Sequence, residues 1–218
     1  VQILLENNFP EKLYLRKAHF PKLLKDKKIY SLGNTEFFTK PQKIRVAIVG
    51  TRKPSFRAQK IINDLLNYLS PEKYHIVSGG ALGVDALAHS LALKKGFSTE
   101  AWLVGDPFRP TPRRNASLFQ QILKCPKSCF LTPESVYVEK NKNLQKYFWL
   151  QRNAWLVASA DFLVIVEARQ KSGTLASLSY ANDFGVPVFA FRAHASSGLN
   201  QETNSMISRD CAIALDIC

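Results

Sequence analysis

The run Ser78-Gly79-Gly80-Ala81-Leu82-Gly83-Val84-Asp85 stands where a β-branched stretch gives way to an amphipathic one. Glycines at such a strand-to-helix junction let the backbone approach a ligand closely, and the helix start offers free N–H groups and a favourable dipole to phosphate. The run is an SxGxxG variant of the dinucleotide fingerprint, with Ser78 in the place of the first glycine. A turn built only for packing would use the same glycines. Three other features point to the same edge. Gly50-Thr51-Arg52 ends the apolar run Val46-Ala47-Ile48-Val49. Lys171-Ser172-Gly173-Thr174 follows a second apolar run ending at Glu167 and opens a helical stretch, with Ser172 or Thr174 as its N-cap. Arg152-Asn153 lies in the helical stretch before that run. Ligands of open α/β sheets bind at the carboxyl edge. These segments are therefore expected to converge on an anion site made by Arg52, Ser78, Gly79, Gly80, Gly83, Arg152, Asn153, Lys171, Ser172, Gly173 and Thr174.

Several chemistries are missing from the sequence. It has no GxxxxGK[ST] for a P-loop nucleotidase, no HExxH, no pair of CxxC motifs and no GxSxG. Cys125-Pro126-Lys127-Ser128-Cys129 lacks a second ligand pair and reads as a turn before a strand. Asp85, awkward as a general base beside phosphate, reads as a helix-start residue ordering the glycine loop, and His89, four residues on, as a structural residue against the sheet. Neither a catalytic group nor a cofactor is expected.

The elements that hold these segments follow from hydrophobic patterning. Strands are predicted at Arg45–Val49, His75–Val77, Ala101–Val104, Cys129–Thr132, Phe162–Val166 and Val188–Phe191. Continuous apolar runs of this kind suit strands buried on both faces of a parallel sheet. Between them, helical periodicity covers Ala58–Leu69, Val84–Lys95, Ala116–Lys124, Phe148–Ala158 and Leu175–Phe184. Right-handed crossovers then give a six-stranded, doubly wound, mostly parallel α/β sheet over residues 43–218. Residues 1–42, with the basic run Lys22–Lys28 and the hairpin-like Ile29–Asn34, read as an extension packed on that core. Val136–Lys146 reads as an exposed loop.

Charge is graded along the 218 residues. Residues 1–60 carry 14 basic against 4 acidic side chains, residues 61–160 carry 12 against 7, and residues 161–218 carry 4 against 6, for a net of +13. A basic surface gains free energy by releasing counterions from a polyanion, so the gradient points to nucleic acid. With 46% hydrophobic residues the chain can bury a core, and no apolar run approaches the ~18 residues of a membrane span. Four cysteines with irregular spacing suit a reducing compartment, and the expected location is cytoplasmic. The chain opens at Val1 without a methionine, as a fragment would.

In Val46–Arg52, Ile76–His89, Arg152-Asn153, Val166-Glu167-Ala168 and Ser172-Gly173-Thr174, with Pro112 and Asn115 between, the chain resembles the DprA/Smf family of DNA-processing proteins. The resemblance implies an extended Rossmann fold and a single-stranded DNA-binding protein that protects incoming DNA and loads the RecA recombinase in natural transformation, as a homodimer joined through the Rossmann core. It places Arg52, Ser78, Gly79, Gly80, Ser172 and Gly173 around the DNA pocket and adds Lys146, in the loop before Arg152, as a basic contact. The chain departs from the family at Arg152-Asn153-Ala154, where Arg-Asn-Arg is usual, at Phe191-Arg192-Ala193, where Pro-Gly is usual, and at Glu202, where many members have Gly. The rival reading is a small-nucleotide enzyme or sensor, with Asp106 holding a ribose hydroxyl. It leaves the basic first 60 residues without a purpose. Tyr147, Phe148, Trp149 and Phe108 are candidates for base stacking, although core packing is the commoner fate of Phe148 and Trp149.

Overall fold

The computed structural model describes residues 2–5, 28–36, 43–134, 145–194 and 201–216. They contain strands β1 (Gln2–Leu5), β2 (Lys28–Gly33), β3 (Ile44–Val49), β4 (Tyr74–Ser78), β5 (Thr99–Trp102), β6 (Cys129–Pro133), β7 (Phe162–Ile165), β8 (Val188–Phe191) and β9 (Ile213–Leu215). Helices α1 (Phe56–Tyr68), α2 (Val84–Lys94), α3 (Ala116–Lys124), α4 (Gln145–Ser159), α5 (Gly173–Phe184) and α6 (Glu202–Ser208) lie between them. The strands form one sheet in the order β1-β2-β6-β5-β4-β3-β7-β8-β9. β2 pairs antiparallel with β1 and with β6, and the other pairs are parallel.

The fold is the expected mostly parallel, doubly wound sheet, but it has nine strands among the described residues rather than six. Two of the additions come from the amino-terminal segment. Residues 29–34 are not a hairpin packed on the sheet: β2 is a strand of the sheet itself, in register with β6 from Ile29 opposite Pro133 to Gly33 opposite Cys129. The basic run at 22–27 and most of the 136–146 loop lie outside the described residues.

Alternation along β3 explains the layering. Val46 and Ile48 pack with Ala58, Ile62 and Ile76 beneath α1 and α2, while Ala47 and Val49 pack with Trp155, Leu163 and Leu178 beneath α4 and α5. Successive strand residues point to opposite faces, so a strand covered on both sides is mostly apolar, as Val46–Val49 is. The chain runs from β3 outward to β4, β5 and β6 on one side, then returns to place β7 against the other side of β3. The carboxyl ends of β3 and β7 therefore flank the switch point of the sheet, where a crevice opens.

On the α4 side, where an all-apolar layer is the norm, the core holds ions. Arg45 from β3 and Glu100 from β5 form an ion pair with both side chains essentially inaccessible. Trp102 Nε1 donates to Glu100 at 2.7 Å, Arg45 Nε donates to the Ser159 carbonyl at 2.6 Å, and His75 Nε2 lies 3.4 Å from Glu100. Burial works to raise the Glu100 carboxyl, but Arg45, His75 and the indole N–H together hold it below its ordinary value, so it is ionised.

His89 is buried on the other face. Its Nδ1 lies 2.7 Å from Thr99 Oγ1, whose hydroxyl donates to the Ile76 carbonyl at 2.9 Å, so Nδ1 carries the proton. Burial chiefly, with His75 adding to it, pushes His89 from 6.5 to about 3. A base whose folded value lies below its unfolded value contributes stability that is complete above the unfolded value near 6.5 and is lost as pH falls towards 3. Between those limits urea unfolding of the wild type is expected to weaken with falling pH more steeply than that of His89→Gln. The excess slope is up to about 1.4 kcal/mol per pH unit. Equal slopes in the two proteins would contradict a neutral buried His89.

Candidate nucleic-acid interface

The crevice at the switch point has a volume of about 450 Å³ and is lined by Gly50, Thr51, Arg52 and Lys53 after β3, by Arg152 and Asn153 of α4, and by Arg169 to Thr174 between β7 and α5. Of the expected site residues, Arg52, Arg152, Asn153, Lys171, Ser172, Gly173 and Thr174 meet here. Ala81 is the part of the glycine loop that reaches it, together with Asp85 of α2.

The turn that carries Arg52 is held by its neighbours. Thr51 N donates to the Glu167 carbonyl at 2.8 Å, Ser55 N donates to Glu167 Oε2 at 2.8 Å, and the Ser55 hydroxyl donates to Glu167 Oε1. Glu167 is buried at the end of β7, so its carboxylate ties the β3 turn to the neighbouring strand. Arg52 itself is exposed.

The glycine loop does different work from that expected. The Ser78 hydroxyl is buried and donates to the Ile48 carbonyl at 2.7 Å, bonding β4 to β3. A Cβ on Gly79 would lie 1.5 Å from Arg152 Nη1, so this glycine makes room for the guanidinium. Gly83, at φ +83°, lets the start of α2 approach the Thr51-Arg52 backbone, where a Cβ would meet the Thr51 carbonyl at 2.4 Å. Val84 N donates to that same carbonyl at 3.1 Å, so one N–H expected to bind phosphate already serves the fold. Ser78, Gly79, Gly80 and Gly83 thus position the site without lining it. Asn115 holds the loop from outside, its Nδ2 donating to the Gly80 carbonyl at 2.9 Å.

Arg152 is 4% exposed, with Nη1 4.0 Å from Asp85 Oδ2, and its Nε has no hydrogen-bond partner among the described residues. Burial lowers it to about 10, opposed by Asp85 and reinforced by Arg52, so it stays charged at neutral pH. Burial also raises the Asp85 carboxyl, against the pull of Arg152 and of the Ala81 and Gly79 N–H groups. As the sequence reading has it, Asp85 orders the loop: Ala81 N donates to it at 3.3 Å.

Ser172 occupies the cap position of α5, but its hydroxyl makes no capping bond and has no hydrogen-bond partner among the described residues. Asn153 Nδ2 donates to the Gly173 carbonyl at 3.3 Å, joining α4 to the start of α5. The crevice thus presents an unsatisfied charged donor and an unsatisfied hydroxyl beside an exposed arginine, an arrangement that would be completed by an anion. Among the described residues no cluster of His, Cys, Asp and Glu fits a metal ion.

Some features are not apparent from sequence patterning. Trp149 lies under both arginines, its ring 5.1 Å from the Arg52 guanidinium carbon and 5.2 Å from that of Arg152. Phe148 is buried, whereas Trp149 is partly exposed at the crevice mouth, so adjacent aromatics have opposite fates. Arg169 and Lys53 also line the crevice, and nothing in their local sequence marks them. Lys146 falls within the first turn of α4 rather than in a loop, and its side chain lies outside the described residues. Asp106 turns inward on its own loop, accepting from Phe108 N at 2.9 Å, and does not line the crevice. Ala154, where the family has arginine, is fully buried in the core. Asn204 is bonded twice to Ala193, its Oδ1 accepting at 2.9 Å and its Nδ2 donating at 3.1 Å, so the residue replacing the usual glycine has a fixed backbone.

A model of the family described as DNA recombination-mediator protein A matches residues 2–217. The DNA processing protein DprA of Bacillus subtilis is 28% identical over 162 residues, which is 74% of this chain and 52% of that protein. Protein Smf of Synechocystis is 31% identical over 145 residues, 66% of this chain and 35% of that protein. The chain thus spans about half the length, or less, of these curated relatives. A structure of DNA processing protein A from Helicobacter pylori, described for its single-stranded DNA binding mode, aligns at TM-score 0.75 and 28% identity over 98% of this chain and 90% of that one. The fold of DNA processing protein A from Streptococcus pneumoniae aligns at TM-score 0.81 and 23% identity, over 98% of this chain and 70% of that one. With the match running from residue 2 to residue 217, the chain belongs to the DNA recombination-mediator protein A family, the DprA/Smf proteins.

Proposed function

We propose that the protein binds single-stranded DNA in the switch-point crevice and turns nothing over. The observation that carries this reading is the Arg52–Trp149–Arg152 assembly beside the unpartnered Arg152 Nε and Ser172 hydroxyl. Arginines hold phosphate oxygens through a planar fork, and the Trp149 ring against both guanidiniums holds the two forks together. Contacts of this kind fix a backbone without reading a sequence. The relative from Helicobacter pylori described for single-stranded DNA binding supports the same ligand here. Protection of incoming DNA, loading of RecA in transformation, a cytoplasmic location and a homodimer joined through the sheet core belong to this reading. Family membership supports them.

The test is a titration with single-stranded DNA, duplex of equal length and mononucleotide at two salt concentrations. A sheet-edge crevice admits a flexible strand and not a stiff helix, so the single strand is expected to bind more tightly than duplex. Log affinity should fall with log salt by about 0.7 for each phosphate neutralised. Equal affinity for strand and duplex would count against a crevice site, and a flat salt profile with mononucleotide competing fully would replace the reading with that of a small-nucleotide site.

A further inference from the structure

A polymer seated in the crevice must leave it, and the surface beyond the β7–α5 turn is shaped to receive it. A second groove of about 820 Å³ shares Arg169, Gln170 and Lys171 with the crevice and is bounded on its far side by Glu202, Ser205 and Arg209. The two cavities therefore meet along one turn.

That turn is built to be a fixed edge. Lys171 takes φ +56°, a left-handed conformation that side-chain-bearing residues seldom adopt, and Ser172 N donates back to the Arg169 carbonyl at 3.3 Å. The far wall is fastened to the same strand end: Glu202 N donates to the Ala168 carbonyl at 3.1 Å, and Ala168 and Gln201 form a parallel bridge. The charged side chains along the groove are Arg169, Lys171 and Arg209 against one carboxylate, Glu202. The crevice continues this sign with Arg52, Lys53 and Arg152 against Asp85.

We infer that a single strand held in the crevice continues over the Arg169–Lys171 turn into this second groove, where Arg209 takes a phosphate. The inference rests on the reading of the crevice as a single-stranded DNA site. It adds a direction for the strand and a second subsite. Because the groove lies past the turn, a strand too short to cross the turn does not reach Arg209. The carboxylate of Glu202 sets a limit on how close a phosphate approaches the start of α6, leaving the Arg209 side of the groove as the anionic path.

The experiment compares oligothymidylates of about three and about twelve nucleotides, one below and one within the site sizes of ~4–16 nucleotides typical of single-strand binders. Affinity is measured for wild type, Arg209→Ala, Arg209→Glu, Arg52→Ala and a remote control, Lys94→Ala. Arg209→Ala is expected to weaken the long strand about three- to tenfold, with the log–log salt slope smaller by about 0.7, and Arg209→Glu to weaken it further, while the short strand is unaffected. Arg52→Ala should weaken both lengths. If Arg52→Ala weakens both and the Arg209 variants weaken neither, the second subsite is refuted and the crevice stands. Loss of the same size at both lengths, or an equal loss in Lys94→Ala, would show diffuse attraction and also refute it. If Arg52→Ala binds normally, the crevice reading itself fails and this inference with it.

Discussion

Replacing Glu100 with alanine is expected to destabilise the fold by about 3–5 kcal/mol, the scale of removing one partner from a buried ion pair. Arg45 and Glu100 are both within 1% of complete burial, so the substitution takes from a buried guanidinium the carboxylate it is paired with. It also takes the nearer of two acceptors from the Trp102 indole N–H, leaving the Ser159 hydroxyl at 3.1 Å. Glu100→Gln should be milder, because the amide oxygen can still accept from Trp102 and the side-chain volume is kept. The measurement is the urea midpoint at pH 7.5 with an unchanged slope. A loss below about 1 kcal/mol for Glu100→Ala would mean that the core repacks around Arg45 and that the ion pair is not what holds β3 and β5 in place.

For Arg52→Ala the expected loss is in binding and not in stability. Arg52 is exposed at the end of β3, and the turn that bears it is held through backbone and Glu167 contacts that the substitution leaves intact. Its removal should weaken single-stranded DNA binding by about 1.5–3 kcal/mol, roughly ten- to a hundredfold, the worth of hydrogen bonds to a charged group. Arg52→Lys should recover part of this, since the charge returns without the planar fork. Lys94→Ala, which removes the same charge at the opposite end of α2, should cost well under ~1 kcal/mol. Normal binding by Arg52→Ala with an unchanged melting temperature would move the DNA to a different surface.

The parts of this fold that were legible in the sequence are those whose burial forces a simple pattern. β3 and β7 are covered on both faces, so their unbroken apolar runs announce them. β2 buries Ile29 and Ser31 on one face and half-buries Tyr30 and Leu32 on the other, and the buried Ser31 interrupts the apolar signal. β9 is three residues long and partly exposed, too short to carry a period, and α6 is a seven-residue, mostly polar helix. The site divides in the same way. Arg52, Arg152 and Ser172 could be placed because each follows or precedes a recognisable strand. The packing role of the glycine loop is not legible in the sequence, since what each missing Cβ would strike depends on Arg152 and Thr51, remote in sequence. Trp149 was indistinguishable from its buried neighbour Phe148, because which face of α4 meets the crevice is decided by packing against the sheet.

The most direct test of the account is an amide chemical-shift map of the protein titrated with an oligothymidylate of about twelve nucleotides, a length within the range of single-strand sites. The account requires the perturbations to concentrate at Gly50–Lys53, Trp149–Asn153 and Arg169–Thr174, the segments that meet at the carboxyl ends of β3 and β7. Perturbations centred instead on the outer faces of α1 and α2, where Lys60 and Lys95 lie, with the crevice segments unmoved, would contradict it.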